Sequence, residues 1–488
     1  MASQTQCRTC LDHSLLMAAI RITRVATLLF MFCHSASALA GDGTGRRPAS
    51  PACQFSDQQF DPATDVHALD EYREAIGQLL KQEKFDVLDC LADNARNGKT
   101  RFSGGGWKLR NIYIGLEEPQ PGHPTQIDWR QHFELIERWK HKNESSMTAK
   151  IALAESYISY GWDARGDGYS GDVSNSGWKL FNDRVARAKA VLDGYSSFAN
   201  KCPDWYLAML LVAQGQGWDV ARLHSLLQKA VAFEPDYQYY YRTYATLVQA
   251  KWFGKEGDAA QFAEDSANNT GGKAGDLLYF EIADGILCGC RDPEFPHFSW
   301  PRLQKGFAAI EKQYGPSLRN LNAFALMASK ANDWVAADPA FKRIADGWDK
   351  EVWLTEDWFK QNRDTAAKAA PIQAQARDTR KAAETNLQTP DGPAYQKDVE
   401  QKMVAIEQTC LKDFGSEAHK AELLLRIGSD GAAENVRTER QPDRFAYCIM
   451  GSLYQSFIRK EKTFSPPPHA TYWVILDVDP AALAASSK

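Results

Sequence analysis

The sequence predicts a mainly α-helical chain, built from helical hairpins and closed by a small α+β domain. Three observations predict it. Apolar residues recur at spacings of three and four from about residue 65 to 360. Within that stretch a two-helix pattern returns at an offset of 32 residues, with Pro203 echoed by Pro235. The last block then switches to short apolar runs separated by turn signals. At 488 residues the chain exceeds one ordinary core, so two or three domains are expected.

Residues 1–40 read as a secretory signal peptide. Arg21 and Arg24 precede the apolar run VATLLFMF at 25–32, and Ala38 and Ala40 supply a small-residue cleavage pattern before Gly41. Met17 as the start would give the basic segment an ordinary length. The apolar run is too short to span a bilayer, which needs about 20 apolar residues; a retained N-terminal anchor is the alternative. Phe32 before Cys33 does not fit a lipoprotein anchor. Export places the chain in the periplasm or outside the cell, with no stable membrane insertion once the signal is removed. In an oxidising compartment its cysteines are disulfide candidates. Loss of Cys7, Cys10 and Cys33 leaves an odd number, so at least one stays unpaired. Cys53 with Cys90 is one pairing; the partners of Cys202, Cys288 and Cys290 stay open. Cys288-Gly-Cys290 lacks a second Cys/His pair at zinc spacing and reads as structural, with a metal or redox site as the alternative.

Residues 41–64, rich in Gly, Pro, Ser and Asp, read as a disordered lead-in. A helix follows, with Leu69, Tyr72, Ile76, Leu79 and Leu80 on one face. The Gly- and Pro-rich stretch 97–125 reads as a loop. Beyond it Phe133, Ile136 and Trp139 mark one helix, and Ile151, Ala154, Tyr157 and Ile158 the next. Trp178, Phe181, Val185, Ala188 and Leu192 form a single stripe. PDW at 203–205 and PDY at 235–237 each open an apolar segment that ends in a Gly/Trp turn, GQGW at 215–218 and KWFG at 251–254. Pro stops the preceding helix and Asp caps the first amides of the next. Two helices per roughly 32–34 residues is the period of a tetratricopeptide-like superhelix, so 65–360 reads as a repeat-like helical domain.

Residues 361–392 are Ala, Gln, Lys, Arg and Thr with almost no large apolar residue. They have no face to bury and read as a partly helical linker. The final domain, 393–488, begins with a helix near 394–413 and a strand at 421–428. Ser429-Asp430-Gly431 then makes a hairpin turn into a second strand near 432–438. A helix at about 442–458 and the alternating strand 471–478 complete it.

A net charge of −5 offers no basic surplus for nucleic acid. The densest polar cluster is GWDARGDG at 161–168. Counted from Asp163, a calcium loop would need carboxylates where Arg165 and Ser174 stand. A phosphate loop would need a Lys-Ser/Thr ending. The stretch therefore reads as a helix end turned by its glycines, with a ligand site on Trp162, Arg165 and Asp167 as the alternative. No histidine sits at metal or triad spacing, and Glu137, Glu155 and Asp183 read as solvated carboxylates. With no G-x-S-x-G motif either, no catalytic residue, metal or cofactor is assigned.

Two resemblances extend this reading. Cys410, LLLRIGSDG at 423–431, AYCI around Cys448, FSPPP at 464–468 and the closing strand resemble the periplasmic C-terminal domain of TonB-type energy transducers. That resemblance implies a disulfide between Cys410 and Cys448, two independent buried thiols being the alternative. AESYISYGWDARGDGYSGDV at 154–173, with Trp178, Phe181, Trp205, Pro235 and the 252–254 turn, is similar to a bacterial helical family, domain-of-unknown-function family 4034, which implies no activity. The expected function is an exported, non-enzymatic scaffold. Its helical groove, with Trp162, Arg165, Asp167, Trp218, Tyr240 and Trp252, binds a peptide or protein, and its TonB-like domain docks an envelope partner. The rival is an envelope enzyme acting on a cell-wall or glycan substrate in that groove. A third reading has the C-terminal domain only dimerise the chain; the sequence leaves the oligomeric state open.

Overall fold

The computed structural model describes residues 53–119, 124–166, 168–287, 294–414, 418–439, 442–469 and 471–486. The signal segment, Asp167, Cys288 and Cys290 lie outside them. The chain is mainly helical, with one small antiparallel sheet near the C-terminus. It divides into two compact units: Met1–Leu326 with Ile344–Glu356, and Met327–Arg343 with Asp357–Lys488.

In chain order the helices up to residue 353 are α1 (Ala68–Lys81), α2 (Phe85–Gly98), α3 (Lys108–Leu116), α4 (Gln126–Lys142), α5 (Met147–Arg165), α6 (Asn175–Gly194), α7 (Pro203–Gly215), α8 (Val220–Phe233), α9 (Gln238–Leu247), α10 (Asp258–Thr270), α11 (Gly272–Ile286), α12 (Trp300–Tyr314), α13 (Leu318–Lys330), α14 (Trp334–Ile344) and α15 (Lys350–Trp353). Side-chain caps start several of them. Thr125 and Asp128 form a capping box on α4, while Ser146, Ser174 and Asp219 cap α5, α6 and α8. Neighbouring helices pair as hairpins, α5 with α6, α7 with α8 and α10 with α11, and α5, α7, α9 and α11 pack on one another in turn. Outer helices such as α8 bury one stripe, whereas α5 and α7 are buried on nearly every side.

Three expectations for this unit are corrected. The end of the lead-in is ordered: Cys53 is bonded to Cys90, and Phe60 is buried edge-on to Tyr72 at 5.5 Å. The stretch 97–125 contains α3, whose residues from Leu109 to Tyr113 are all buried. Before α3, Gly104 and Gly105 adopt φ of +81° and +91° where a Cβ would strike Ser317 and Tyr314. Asp204 is not a cap either. Pro203 takes the first helical position, and Asp204 lies inside the first turn with 0% exposure.

The second unit contains the end of α13 and nearly all of α14, then α16 (Glu356–Leu387), α17 (Gly392–Phe414), strand β1 (Ala421–Gly428), strand β2 (Ala433–Arg437), α18 (Arg444–Ile458), strand β3 (Thr471–Val478) and α19 (Pro480–Ser486). The strand order is β2-β1-β3, antiparallel throughout. Leu425 pairs with Val436 on one side and Val474 on the other. Gly431 turns the hairpin at φ +85°. Alternation along β1 sends Leu423, Leu425 and Ile427 into a core with Val399, Met403, Phe445, Ile449 and Leu453 of α17 and α18. Leu424 points to the opposite face, where Ala376 and Ala383 of α16 cover it together with Trp473 and Ile475.

The segment expected as a linker without a buried face is thus a helix with one. Its buried stripe is Phe359, Ala366, Ala370, Gln373, Ala376, Thr379 and Ala383. Where the helix covers the sheet the stripe is alanine, Ala376 and Ala383, because a helix lies close against a sheet when its facing side chains are short. Gln373 fixes the register: its amide donates to Asn332 O at 2.8 Å and Glu439 O at 3.0 Å, and its carbonyl accepts from Val335 N at 3.0 Å.

Candidate functional site

The polar chemistry of the first unit is concentrated where α1, α3, α5, α7, α9, α11 and α13 meet. At one end stands Arg110 of α3. Its guanidinium holds Glu155 through both carboxylate oxygens at 2.8 and 3.0 Å and Glu117 at 3.0 Å, and lies 3.6 Å from Asp204. Asp204 Oδ1 also accepts the Tyr237 hydroxyl at 2.7 Å, while its Oδ2 has no hydrogen-bond partner. Three carboxylates around one guanidinium cannot all be ionised at low cost. Burial is the first cause that raises Glu155, Glu117 and Asp204; Arg110 opposes it, and for Glu155 the other two carboxylates add to it.

The network continues across α9 to α13. Tyr237 packs on Tyr239, which lies under Arg242 at 5.8 Å. Arg242 reaches Asp284 at 3.2 Å and Glu281 at 3.5 Å, and Arg319 bridges Asp284 at 3.1 Å to Asp349 at 3.5 Å. From α1, Arg73 donates to Asn111 at 2.8 Å and pairs with Asp70 at 3.0 Å. Glu117, Arg73, Arg242 and Arg319 keep side-chain exposures of 15, 17, 25 and 28%. Solvent therefore reaches parts of this band, although most of its carboxylates are buried.

The band is acid-rich. Asp70, Glu117, Glu118, Glu155, Asp204, Glu281, Asp284, Asp349 and Glu351 outnumber Arg73, Arg96, Arg101, Arg110, Arg242 and Arg319 around them. Burial, then Glu117 and Asp163, pushes Glu118 up to about 8. Burial raises Glu281 to about 7 against Arg242, and burial with Asp349 raises Glu351 to about 7. The pH dependence follows from these directions. Between pH 4.5 and 8 these carboxyls bind more protons in the folded state than in the unfolded one, so their contribution to stability is full below about 4.5 and is lost as pH rises through 7 to 8. The melting temperature of the intact chain's helical unit should fall between pH 5.5 and pH 8, read by calorimetry. Glu351→Gln should flatten that decline, and a melting point that rises over this interval would refute the assignment.

The residues expected to form a ligand site are placed differently. Trp162 is buried at the end of α5, edge-on to Phe181 at 4.9 Å and to Trp252 at 6.2 Å. Arg165 stacks over Trp162 and Trp178, and donates to the carbonyls of Gly166 and Gly168 at 2.9 and 3.1 Å. Gly166, at φ +73°, ends α5 there, so the described part of GWDARGDG turns the chain. Trp218 lies beneath Arg222 at 4.0 Å at the start of α8. Tyr240 is wholly buried beside the acid band, its hydroxyl without a partner. The structure thus brings Trp162, Arg165 and Trp252 together, and places Tyr240 with the charges.

Glu155, expected to be solvated, is 1% exposed and bonded to Arg110. The signal that finds it is its setting: a helix apolar on all sides must bury any carboxylate it carries. Asp204 on α7 yields to the same logic. Arg110, Glu281 and Arg319 lie in ordinary-looking stretches and have no such signal. His132 Nε2 lies 3.0 Å from Ser156 Oγ, but both are buried and the hydroxyl also bonds Ala152 O at 2.9 Å, so no exposed nucleophile results. Among the described residues no cluster of His, Cys, Asp and Glu fits a metal ion. The chain matches no family model, no curated protein and no solved structure. The two disulfides among the described residues point to an oxidising compartment, and no described helix is long and apolar enough to cross a membrane.

Proposed function

We propose that the protein is an exported, periplasmic or secreted binding scaffold. Its tetratricopeptide-like helical unit takes a cationic peptide segment of a partner protein, and its TonB-like C-terminal unit docks an envelope partner, using the outer edge of β2. The observation that carries the reading is the surplus of carboxylate over guanidinium in a band that solvent partly reaches. Ammonium or guanidinium groups of a ligand would replace the protons that burial, and then neighbouring carboxylates, hold on Glu118, Glu281 and Glu351. Binding is then linked to proton release and tightens as pH rises.

The test is calorimetric titration of the mature chain with a lysine-rich peptide, in buffers of differing protonation enthalpy. We expect net proton release and affinity about tenfold higher at pH 8 than at pH 6. Glu118→Gln with Glu351→Gln should weaken it about tenfold while the melting profile stays cooperative. Equal binding of an acidic peptide of the same length, or no binding of the basic one, would remove the reading.

A further inference from the structure

Exposed apolar side chains are normally scattered singly. Here Tyr447, Tyr454, Phe457 and Ile458, exposed by 58, 58, 44 and 55%, share the single helix α18, while the other large ones are dispersed from Ile127 to Val404. Tyr447, Gly451, Tyr454 and Ile458 stand at i, i+4, i+7 and i+11, one face opposite the buried Phe445, Ile449 and Leu453. Phe457 lies beside Tyr454 at 6.2 Å. Gly451 has nothing within 4 Å of where a Cβ would stand, so the face is open along its length.

We propose that this face seats on an anionic lipid surface. Charge is the first argument. The helix runs directly into exposed Arg459, Lys460 and Lys462, with Glu461 the lone acid among them, in a chain whose net charge is −5. Local positive charge beside tyrosine, phenylalanine and isoleucine is the pattern of an interfacial helix, whose aromatic groups enter the headgroup layer while its cations meet lipid phosphates. Area is the second argument. Four half-exposed side chains offer about 400 Å². A stable dimer buries about 800 Å² per partner, whereas interfacial seating needs only a few side chains.

The test is co-sedimentation of the full mature chain with vesicles of equal parts phosphatidylglycerol and phosphatidylcholine, against vesicles of phosphatidylcholine alone. Binding is expected to the first and to be at least about fivefold weaker to the second. Tyr454→Ser with Ile458→Ser should abolish it, and Lys460→Glu with Lys462→Glu should weaken it about fivefold for each cation lost. All four positions are exposed, so an unchanged melting point certifies the fold of each variant. Absence of binding to either vesicle, or binding that survives both variants, overturns the proposal. So does a dimer in light scattering that the serine variant dissolves, because the face would then belong to a second copy.

Discussion

Arg110→Leu should lower the stability of the helical unit by about 3–5 kcal/mol, the range for removing one partner of a buried ionic cluster. The size comes from what is left behind. Glu155 is 1% and Asp204 0% exposed, and Glu117 keeps only 15% side-chain exposure, so three carboxylates would lose the one guanidinium that they share. Hydrogen bonding cannot compensate for this, since Asp204 Oδ2 has no partner even with Arg110 present. The loss should shrink as pH falls from 8 to 5.5, because protonation removes the uncompensated charge. Arg110→Leu combined with Glu155→Leu should recover part of the loss, apolar replacements of a buried pair being often neutral. Urea unfolding followed by helical circular dichroism at both pH values checks each arm. A single variant that unfolds within 1 kcal/mol of the parent at pH 8 would show that the carboxylates were already neutral there, and the account of the band would fall with it.

What was legible beforehand follows a physical division. The C-terminal unit was readable because β1 states its own geometry. Leu423, Leu425 and Ile427 alternate with residues of the other face, and Asp430-Gly431 supplies the positive φ that a hairpin needs. The helical unit was readable wherever a helix buries one stripe, as α6 does with Phe181, Val185, Ala188 and Leu192. Reading failed where large apolar residues were taken as the mark of burial. α16 buries alanines and a glutamine, and in composition it resembles a solvated tether. It also failed where function depends on distant pairing. Arg110 and Glu155 are 45 residues apart, and Arg242 and Asp284 are 42 apart. No local spacing announces such a pair. Asp204 is legible only in the wrong role: its position at a helix start suggests a cap, while the apolar surroundings of α7 require a buried partner.

Replacing Cys410 and Cys448 together by alanine should destabilise the C-terminal unit by about 4 kcal/mol. The bond joins α17 to α18 across 38 residues that include β1 and β2, and its absence returns that loop's closure entropy to the unfolded chain. The Cys53–Cys90 bond spans 37 residues, so the same entropic argument assigns it an almost equal value. The consequences should nonetheless differ. Cys410 is wholly buried in the core formed by Met403, Leu425, Phe445 and Ile449, so opening that loop requires the unit to unfold and the entropy counts in full. Cys53 instead ties a segment with no helix or strand of its own, held by Phe55 and Phe60 on Tyr72, by the Asp57–Lys108 ion pair at 2.5 Å and by Leu318 N donating to Pro62 O at 2.8 Å. That segment can detach while the helices behind it stay folded, so Cys53→Ala with Cys90→Ala should shift the global transition by much less and increase proteolysis near residues 53–62. Calorimetry of the two double variants, beside limited proteolysis, separates the cases. Equal shifts in both would mean that the N-terminal segment unfolds only with its unit, as integral to it as the sheet is to its own core.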